Sequence, residues 1–341
     1  MRNPFIAGSW VRDDNFFGRE SLLQEVLEGQ RHSLWVAGAR RLGKTSLLKE
    51  LEHRVLQSPT TPFVPLFFDL QGCGDARGLA EGLLSSVEDS EPFRRATALS
   101  VEDLESLSIT DMLTTLIRRT VRSGWRLLLL VDEAEELLSV ARADPGVLPR
   151  LRRILQKGPD VRALLTSTKR LLRIDERTDF ATSPFMLGFT PPLYLTPLAP
   201  DEARSLLARG RFATEEVETV VERTACHPFL LQLIASRLYE SRDLGATLDH
   251  VASDEMVSNF FSVDFQTLDP DERSILEEVS REGSRSRGDI ARALGATEEV
   301  VSPLVYGLEK MGYLATEGGP YRVGNWFFDR WLRRVAVARP A

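Results

Sequence analysis

The sequence predicts an α/β fold: a doubly wound parallel sheet with flanking helices, then a small all-helical segment, then a C-terminal module of helices and a hairpin. Three observations carry this. Short runs that are apolar at nearly every position, residues 33–37, 63–70, 126–132 and 161–167, alternate with amphipathic helical stretches, as strands covered on both faces require. From residue 200 the strand pattern stops and helical periodicity takes over. Past residue 267, helices around Gly295 lead into a hairpin turn, Glu317-Gly318-Gly319-Pro320. The expected domains of the 341-residue chain are therefore 1–199, 200–266 and 267–341.

Each element has its own signal. Residues 1–19 are an irregular lead-in whose aromatics, with Gly18 before the first helix, read as a lid packed on the sheet domain. Residues 20–30 set Leu22, Leu23, Val26 and Leu27 on one helical stripe. Residues 33–51, SLWVAGARRLGKTSLLKEL, give an apolar strand, a glycine-bounded loop and a helix. A surface turn at 58–62 precedes the second strand, FVPLFFDL. Residues 73–91 read as a helix with ragged ends and 92–108 as a polar loop with some helix. Residues 109–123 place Met112, Leu113, Leu116, Ile117 and Val121 in helical phase. The third strand, RLLLLVD, suits the centre of a parallel sheet. A basic amphipathic helix at 149–157, a fourth strand VRALLTS, a polar loop at 173–192 containing Ser183-Pro184-Phe185, and a short fifth strand at 193–195 complete the domain. Right-handed crossovers bring the strand ends that matter to one edge.

Four helices follow, at 201–209, 214–225, 228–241 and 254–265. Helices at 269–281, 287–294 and 298–311, a hairpin of 313–315 with 321–323, and a closing helix at 325–337 have the order of a winged helix.

The chemistry begins at Gly38-Ala39-Arg40-Arg41-Leu42-Gly43-Lys44-Thr45, which fits G-x-x-x-x-G-K-[ST] residue for residue. Gly38 lets the chain leave the strand sharply, and Gly43 lets backbone N–H groups close around phosphate oxygens. The following helix points its positive end at the same place. Lys44 reaches the β- and γ-phosphates and the Thr45 hydroxyl ligates Mg²⁺. Gly38, Arg41, Gly43, Lys44, Thr45 and Ser46 form the expected phosphate-binding set, with Arg40 and Arg41 alternatively facing solvent.

Asp132 and Glu133 end the third strand as two acids. Asp132 is expected to hold Mg²⁺, directly or through water, and Glu133 to orient and deprotonate the attacking water. Glu135 and Glu136 are better read as the acidic first turn of a helix. Ser167 and Thr168, at the end of the fourth strand, are candidates for sensing the γ-phosphate, against a plain strand end. Lys169, Arg170 and Arg173 follow on the same edge; Arg170 is carried as the candidate that neutralises transition-state charge, in cis or in a neighbouring subunit, against a solvated basic loop. His227 stands alone and is not read as a ligand; Pro228 after it starts a helix that lids the base.

Bulk properties narrow the classes. With 43% hydrophobic and 27% charged residues the chain has the composition of a soluble globular protein. A net charge of −7 argues against the whole surface serving nucleic acid or an anionic membrane. Cys73 and Cys226 lie outside any C-x-x-C pattern, so neither a disulfide framework nor a zinc site is expected, which fits a reducing cytoplasm. The N-terminal MRNPFIAGSW lacks a signal h-region, and the longest apolar runs are too short for a bilayer, so no membrane partner is expected.

Taken together, NPF near the start, FFGRE, GARRLGKTSLL, FFDLQG, LLLLVDE, the SPF loop, HPFLLQ and the C-terminal winged-helix order resemble the STAND and archaeal-type AAA-related P-loop ATPases. These are relatives of the nucleotide-binding module of NLR and Apaf-like proteins and of the origin-recognition ATPases. The resemblance implies an ASCE-type P-loop NTPase sheet in the order fifth, first, fourth, third, second strand, followed by a small helical lid domain and a C-terminal winged helix. It implies ATP/ADP and Mg²⁺ as cofactors, Phe17, Gly18 and Arg19 lining the adenine, and Pro228 reaching the base. Cys226 stands where the family usually carries Gly. It further implies a winged helix packed over ADP in a closed state, and opening to a homo-oligomer when ATP replaces ADP. The chain ends just after the winged helix, so the sensor and effector typical of STAND proteins are expected on a separate polypeptide, or the protein is a simpler ATPase of the same build.

Two functions follow. The first is an ATP-binding, slowly hydrolysing switch whose nucleotide state controls opening, oligomerisation and partner recruitment, of the kind used in bacterial signalling or defence. The second is a DNA-directed ATPase acting on duplex through the winged helix. The would-be recognition helix offers Lys310 against Glu298, Glu299 and Glu309, and the wing offers Arg322 against Glu317. Reading duplex DNA needs Arg, Lys, Asn or Gln there, so DNA is the less favoured partner. Basic residues over 281–292 and Arg330, Arg333 and Arg334 keep that option open. A client-remodelling ATPase is the weakest reading, because no pore-loop signature is evident.

Overall fold

The strands β1 (Ser33–Ala37), β2 (Phe63–Asp69), β3 (Arg126–Asp132), β4 (Val161–Ser167) and β5 (Leu193–Tyr194) form one sheet in the order β2-β3-β4-β1-β5. The computed structural model describes residues 3–176 and 184–338, so residues 177–183 of the loop expected over 173–192, Ser183 included, lie outside the described residues. Neighbours β2–β3, β3–β4 and β4–β1 run parallel. The order, read from the other edge, is the one the resemblance implies, and the sheet with its flanking helices fits the P-loop NTPase fold. Every residue of β1 and β4 is buried, the pattern of strands covered on both faces. The register sets Asp69 beside Asp132 and Ala37 beside Ser167, which gathers four strand ends on one edge.

The flanking helices are α1 (Glu20–Glu28), α2 (Lys44–Gln57), α3 (Ala76–Asp89), α4 (Glu91–Thr97), α5 (Ile109–Arg122), α6 (Leu137–Ala143), α7 (Val147–Leu155) and α8 (Arg173–Glu176). The helix read over 73–91 starts later because Asp75 caps it, accepting from Gly78 N at 2.7 Å. It breaks at Ser90, and α4 restarts with a proline in its first turn. Arg162 of β4 is 3% exposed and donates to the carbonyls of Val26, Leu27 and Gly29 at 2.7, 2.8 and 2.7 Å. These are carbonyls at the C-terminal end of α1, which the helix itself leaves without donors.

The remaining helices are α9 (Pro200–Leu207), α10 (Thr214–Thr224), α11 (Pro228–Ser241), α12 (Leu244–Ser253), α13 (Glu255–Gln266), α14 (Pro270–Glu282), α15 (Arg287–Ala293) and α16 (Glu298–Lys310). The antiparallel pair β6 (Leu314–Ala315) and β7 (Arg322–Val323) and a final helix α17 (Trp326–Ala338) follow. Helix α12 was not legible from periodicity; its start is fixed by Asp243, which accepts from Ala246 N at 2.9 Å. Helices α13 and α17 share an aromatic core, with Phe261 5.2 Å from Phe328 and Phe265 5.6 Å from Trp331.

The chain divides into two compact units. One comprises Trp10–Gly38 and Lys44–Leu193; the other comprises Met1–Ser9, Ala39–Gly43 and Tyr194–Ala341. The lead-in is thus not a single lid on the sheet domain. Asn3 donates to Ser236 O at 3.1 Å, Ile6 N donates to Gln232 at 3.0 Å, and Phe5 stacks on Phe212 at 5.7 Å, so these residues lie on α11 and its surroundings. Val11 N instead donates to Ser46 at 3.1 Å and Asp13 N to Glu50 at 2.7 Å, along α2. The physical reason is that the polar groups completing NPF and its successors are on α11, while those completing 11–13 are on α2. Among the described residues no helix is long and apolar enough to cross a membrane.

Candidate functional site

Within the sheet unit, the ends of β1, β3 and β4 converge. Gly38 N, leaving β1, donates to Ser167 O at 3.1 Å. Lys44 opens α2, is buried, and donates from Nζ to Gly38 O at 3.1 Å. An ammonium at the start of a helix, beside its own loop's carbonyl, is a group that could meet an anion there. Thr45, the next residue, donates its hydroxyl to Asp132 Oδ2 at 2.5 Å. The other carboxylate oxygen accepts from Thr166 Oγ1 at 2.5 Å and from Glu133 N at 3.1 Å. Asp132 is 2% exposed, and a buried carboxylate needs such donors.

A Mg²⁺ bound here would use the Thr45 hydroxyl and the Asp132 carboxylate, which already touch. Octahedral Mg²⁺ takes one or two protein oxygens and completes its shell with phosphate and water, so this donor set fits. Glu133 follows directly, half-buried, with φ +49°. That left-handed backbone turns the chain sharply off β3 and separates the direction of its side chain from that of Asp132.

The fourth strand departs from the reading of its hydroxyls. Ser167, the expected sensor, is fully buried; its Oγ accepts from Trp35 Nε1 at 2.8 Å and donates to Thr168 O at 2.8 Å. The hydroxyl aimed at Asp132 belongs to Thr166, one residue earlier. Side chains alternate along a strand, so a shift of one position changes the face. The β3–β4 register, with Val131 beside Leu165, places Thr166 level with Asp132, and no periodicity in VRALLTS shows that register beforehand. Thr168 is buried and its hydroxyl lacks a partner among the described residues. Arg170 is exposed on the turn Lys169–Leu172 after β4. Ser46 is nearly buried, its hydroxyl accepting from Val11 N. Gly18 and Arg19 both take left-handed φ, +72° and +70°, and turn the chain from Phe17 into α1, where Arg19 O accepts from Leu22 N and Leu23 N.

The other unit contains the loop's apex, residues 39–43. Arg41 has φ +62° and Gly43 φ +96°, so the sharp turning falls here rather than at Gly38. The Arg41 guanidinium lies 5.2 Å from the Phe229 ring centroid and donates to Gly8 O at 3.3 Å. Arg40 N donates to Asp264 Oδ1 at 3.1 Å, and Asp264 Oδ2 accepts from Tyr313 Oη at 2.7 Å. Asp264 is 3% exposed, and burial, with this carboxylate beside it, pushes the Tyr313 phenol well up. Sequence reasoning missed Asp264, which looks like one more position of an amphipathic helix. Pro228 opens α11 behind His227. Ala225 and Cys226 before it have φ +45° and +58°, so Cys226 occupies a conformation that glycine adopts more easily.

Residues 27–174 match the model of the AAA domain. In fold, the chain is similar to the Walker-type ATPase of Pyrococcus abyssi, with a TM-score of 0.71 at 19% identity, covering 95% of this chain and 98% of that one. Two further solved structures are the Aeropyrum pernix ORC1 protein in complex with DNA and a Signal Transduction ATPase with Numerous Domains from Pyrococcus horikoshii with a tetratricopeptide repeat sensor. The first has a TM-score of 0.44 at 16% identity over 96% of both chains; the second has 0.34 at 20% identity over 97% of this chain and 44% of that one. No curated protein sequence matches. The matched segment is an AAA domain, and the sheet order and the likeness to the Pyrococcus abyssi protein are those of a P-loop NTPase fold.

Proposed function

We propose that the protein is a Mg²⁺-dependent ATPase that works as a nucleotide-controlled switch of STAND-like build. The observation that carries the ATPase reading is the contact of Thr45 with Asp132 beside the Lys44 cradle, since this is the pair of oxygens that Mg²⁺·ATP requires. In this reading Gly38, Gly43, Lys44 and Thr45 hold the phosphates and Asp132 the metal. Glu133 orients and deprotonates water, and Arg170 neutralises developing charge from its own or a neighbouring subunit. Phe17, Arg19 and Pro228 bound the adenine, residues 200–266 act as the lid, and residues 267–341 as a winged helix.

The switch reading is supported by the Arg40–Asp264–Tyr313 network, because it ties a phosphate-loop amide to α13 and to the chain entering β6. Added negative charge at the loop acts on a buried carboxylate, and that differential is what a two-state device needs. ATP then favours an open, oligomeric form that recruits a separate partner protein, and hydrolysis resets it.

Two variants test this. Lys44→Ala loses ATP binding; unchanged affinity removes the site. Glu133→Gln binds ATP without turnover and accumulates the larger species seen with a non-hydrolysable ATP analogue. Equal mass with ADP and the analogue would refute the switch, and salt-sensitive duplex binding lost with changes in residues 298–323 would replace it by a DNA-directed role.

A further inference from the structure

The sheet unit carries a second feature that nucleotide chemistry does not use, a groove of about 760 Å³ between α5 and α7. Its floor is aliphatic: Ile117 and Val121 from α5, Ile154 from α7 and Val161 at the start of β4. Val121 is 42% exposed, a large apolar side chain facing solvent. Thr110, Thr114, Ile117 and Val121 recur at helical spacing and present one continuous face of α5 to the groove. Its rim is basic, with Arg118, Arg122, Arg150, Arg153 and Lys157. Only Arg150 is paired, with Asp144 at 3.4 Å; the other four have no side-chain partner among the described residues. Against these five cations the lining offers two carboxylates, Asp111 and Asp160, on a chain whose net charge is −7.

We propose that this groove is a docking surface for an acidic amphipathic helix of a partner protein. The two helices form the walls of a slot, and a third helix laid along it buries an apolar stripe on Ile117, Val121 and Ile154. Its flanking Glu or Asp residues then meet the unpaired cations of the two walls. α5 has 14 residues, so the slot accommodates roughly three to four turns of a ligand helix. A nucleic acid fits less well. No aromatic side chain lines the groove to stack a base, no Asn or Gln is there to read one, and an aliphatic floor gives a phosphate backbone nothing. The groove opens at Asp160 and Val161, where β4 begins, while Thr166 and Asp132 lie at the far ends of their strands. Docking and phosphate binding therefore occupy opposite edges of the sheet and do not compete. The proposal does not depend on the switch reading above.

The test is fluorescence anisotropy of the full chain with a labelled synthetic peptide of about 16 residues, Leu on one helical stripe and Glu on both flanks. The native protein binds it, and a peptide of the same composition with its stripe scrambled binds at least about tenfold more weakly. Val121→Asp and the double variant Arg122→Glu with Arg153→Glu each weaken binding by about tenfold or more, while their circular dichroism and ATP turnover stay native. Equal affinity for the scrambled peptide, or no effect of either variant, overturns the proposal. Tighter, variant-sensitive binding of a single-stranded or duplex oligonucleotide would make the groove a nucleic-acid site. Concentration-dependent self-association abolished by the same variants would make it a contact between copies.

Discussion

Replacing Thr166 by valine keeps the shape of β4 and deletes one hydroxyl. That hydroxyl donates at 2.5 Å to a carboxylate that is 2% exposed and has two other donors, Thr45 Oγ1 at 2.5 Å and Glu133 N at 3.1 Å. Removing a donor from a buried carboxylate costs about 1.5–3 kcal/mol, and outer partners of a metal-binding carboxylate typically govern roughly ten- to a hundredfold in metal affinity. The Mg²⁺ concentration for half-maximal ATP hydrolysis should therefore rise roughly ten- to a hundredfold in Thr166→Val. Ser167→Ala is the control. It leaves the Trp35 indole N–H without its 2.8 Å acceptor, a loss of about 1–3 kcal/mol in stability, but touches nothing bonded to Asp132. Both variants should thus unfold at lower urea concentration by similar amounts, and only Thr166→Val should change the metal requirement. The assay is steady-state phosphate release against free Mg²⁺ at saturating ATP, with urea titrations in parallel. If the two variants shift the Mg²⁺ dependence equally, or Thr166→Val leaves it unchanged, the orientation of Asp132 by Thr166 is not part of the site.

Two further predictions concern buried polar groups. Arg162→Met removes three donors from the end of α1 and should cost about 3 kcal/mol in urea unfolding without changing ATP affinity; a loss under about 1 kcal/mol would mean that water satisfies those carbonyls as well. Tyr313 has its ionisation pushed up by burial and by Asp264, so folding favours the neutral phenol. Stability from this source is whole below the ordinary tyrosine range near pH 10 and falls as pH rises through it toward the folded value, because only the unfolded chain then ionises freely. Melting temperatures taken between roughly pH 8 and 11 should decline less steeply in Tyr313→Phe than in the native protein. Equal slopes would place the alkaline loss elsewhere.

The sheet was legible because its signal is local. Runs such as the LLLLV of β3 are buried at every position, as a central parallel strand covered on both faces requires. The turn between β1 and α2 was legible because the G-x-x-x-x-G-K-[ST] pattern fixes residue type at Gly38, Gly43, Lys44 and Thr45 and sits between an apolar run and a helical one. Where side chains rather than periodicity decide, a helix start drifted at Asp75, which caps α3, and a whole helix, α12, was missed behind Asp243, which caps it. The hydroxyl of Thr166 beside Asp132 was not singled out, since the sequence carries the alternation of a strand but not its register against a neighbour. Asp264 was missed for a different reason. Its partners, Arg40 and Tyr313, lie 224 and 49 positions away, and nothing along the chain announces a contact of that span.

Strand β4 sharpens what polar residues in a buried strand mean. Arg162, Leu164 and Thr166 share one face, and both polar members are buried. A polar group in such a strand is costly unless most of its hydrogen bonds are met, and of the Arg162 donors Nε lacks a partner among the described residues. Arg162 meets three with the end of α1, and Thr166 meets its own with Asp132. One closes a helix and the other holds the carboxylate proposed for metal, at opposite ends of seven residues. The polar interruptions in VRALLTS are therefore positions where the strand does something besides pack. The sequence shows where these are, and only the register shows which partner each one serves.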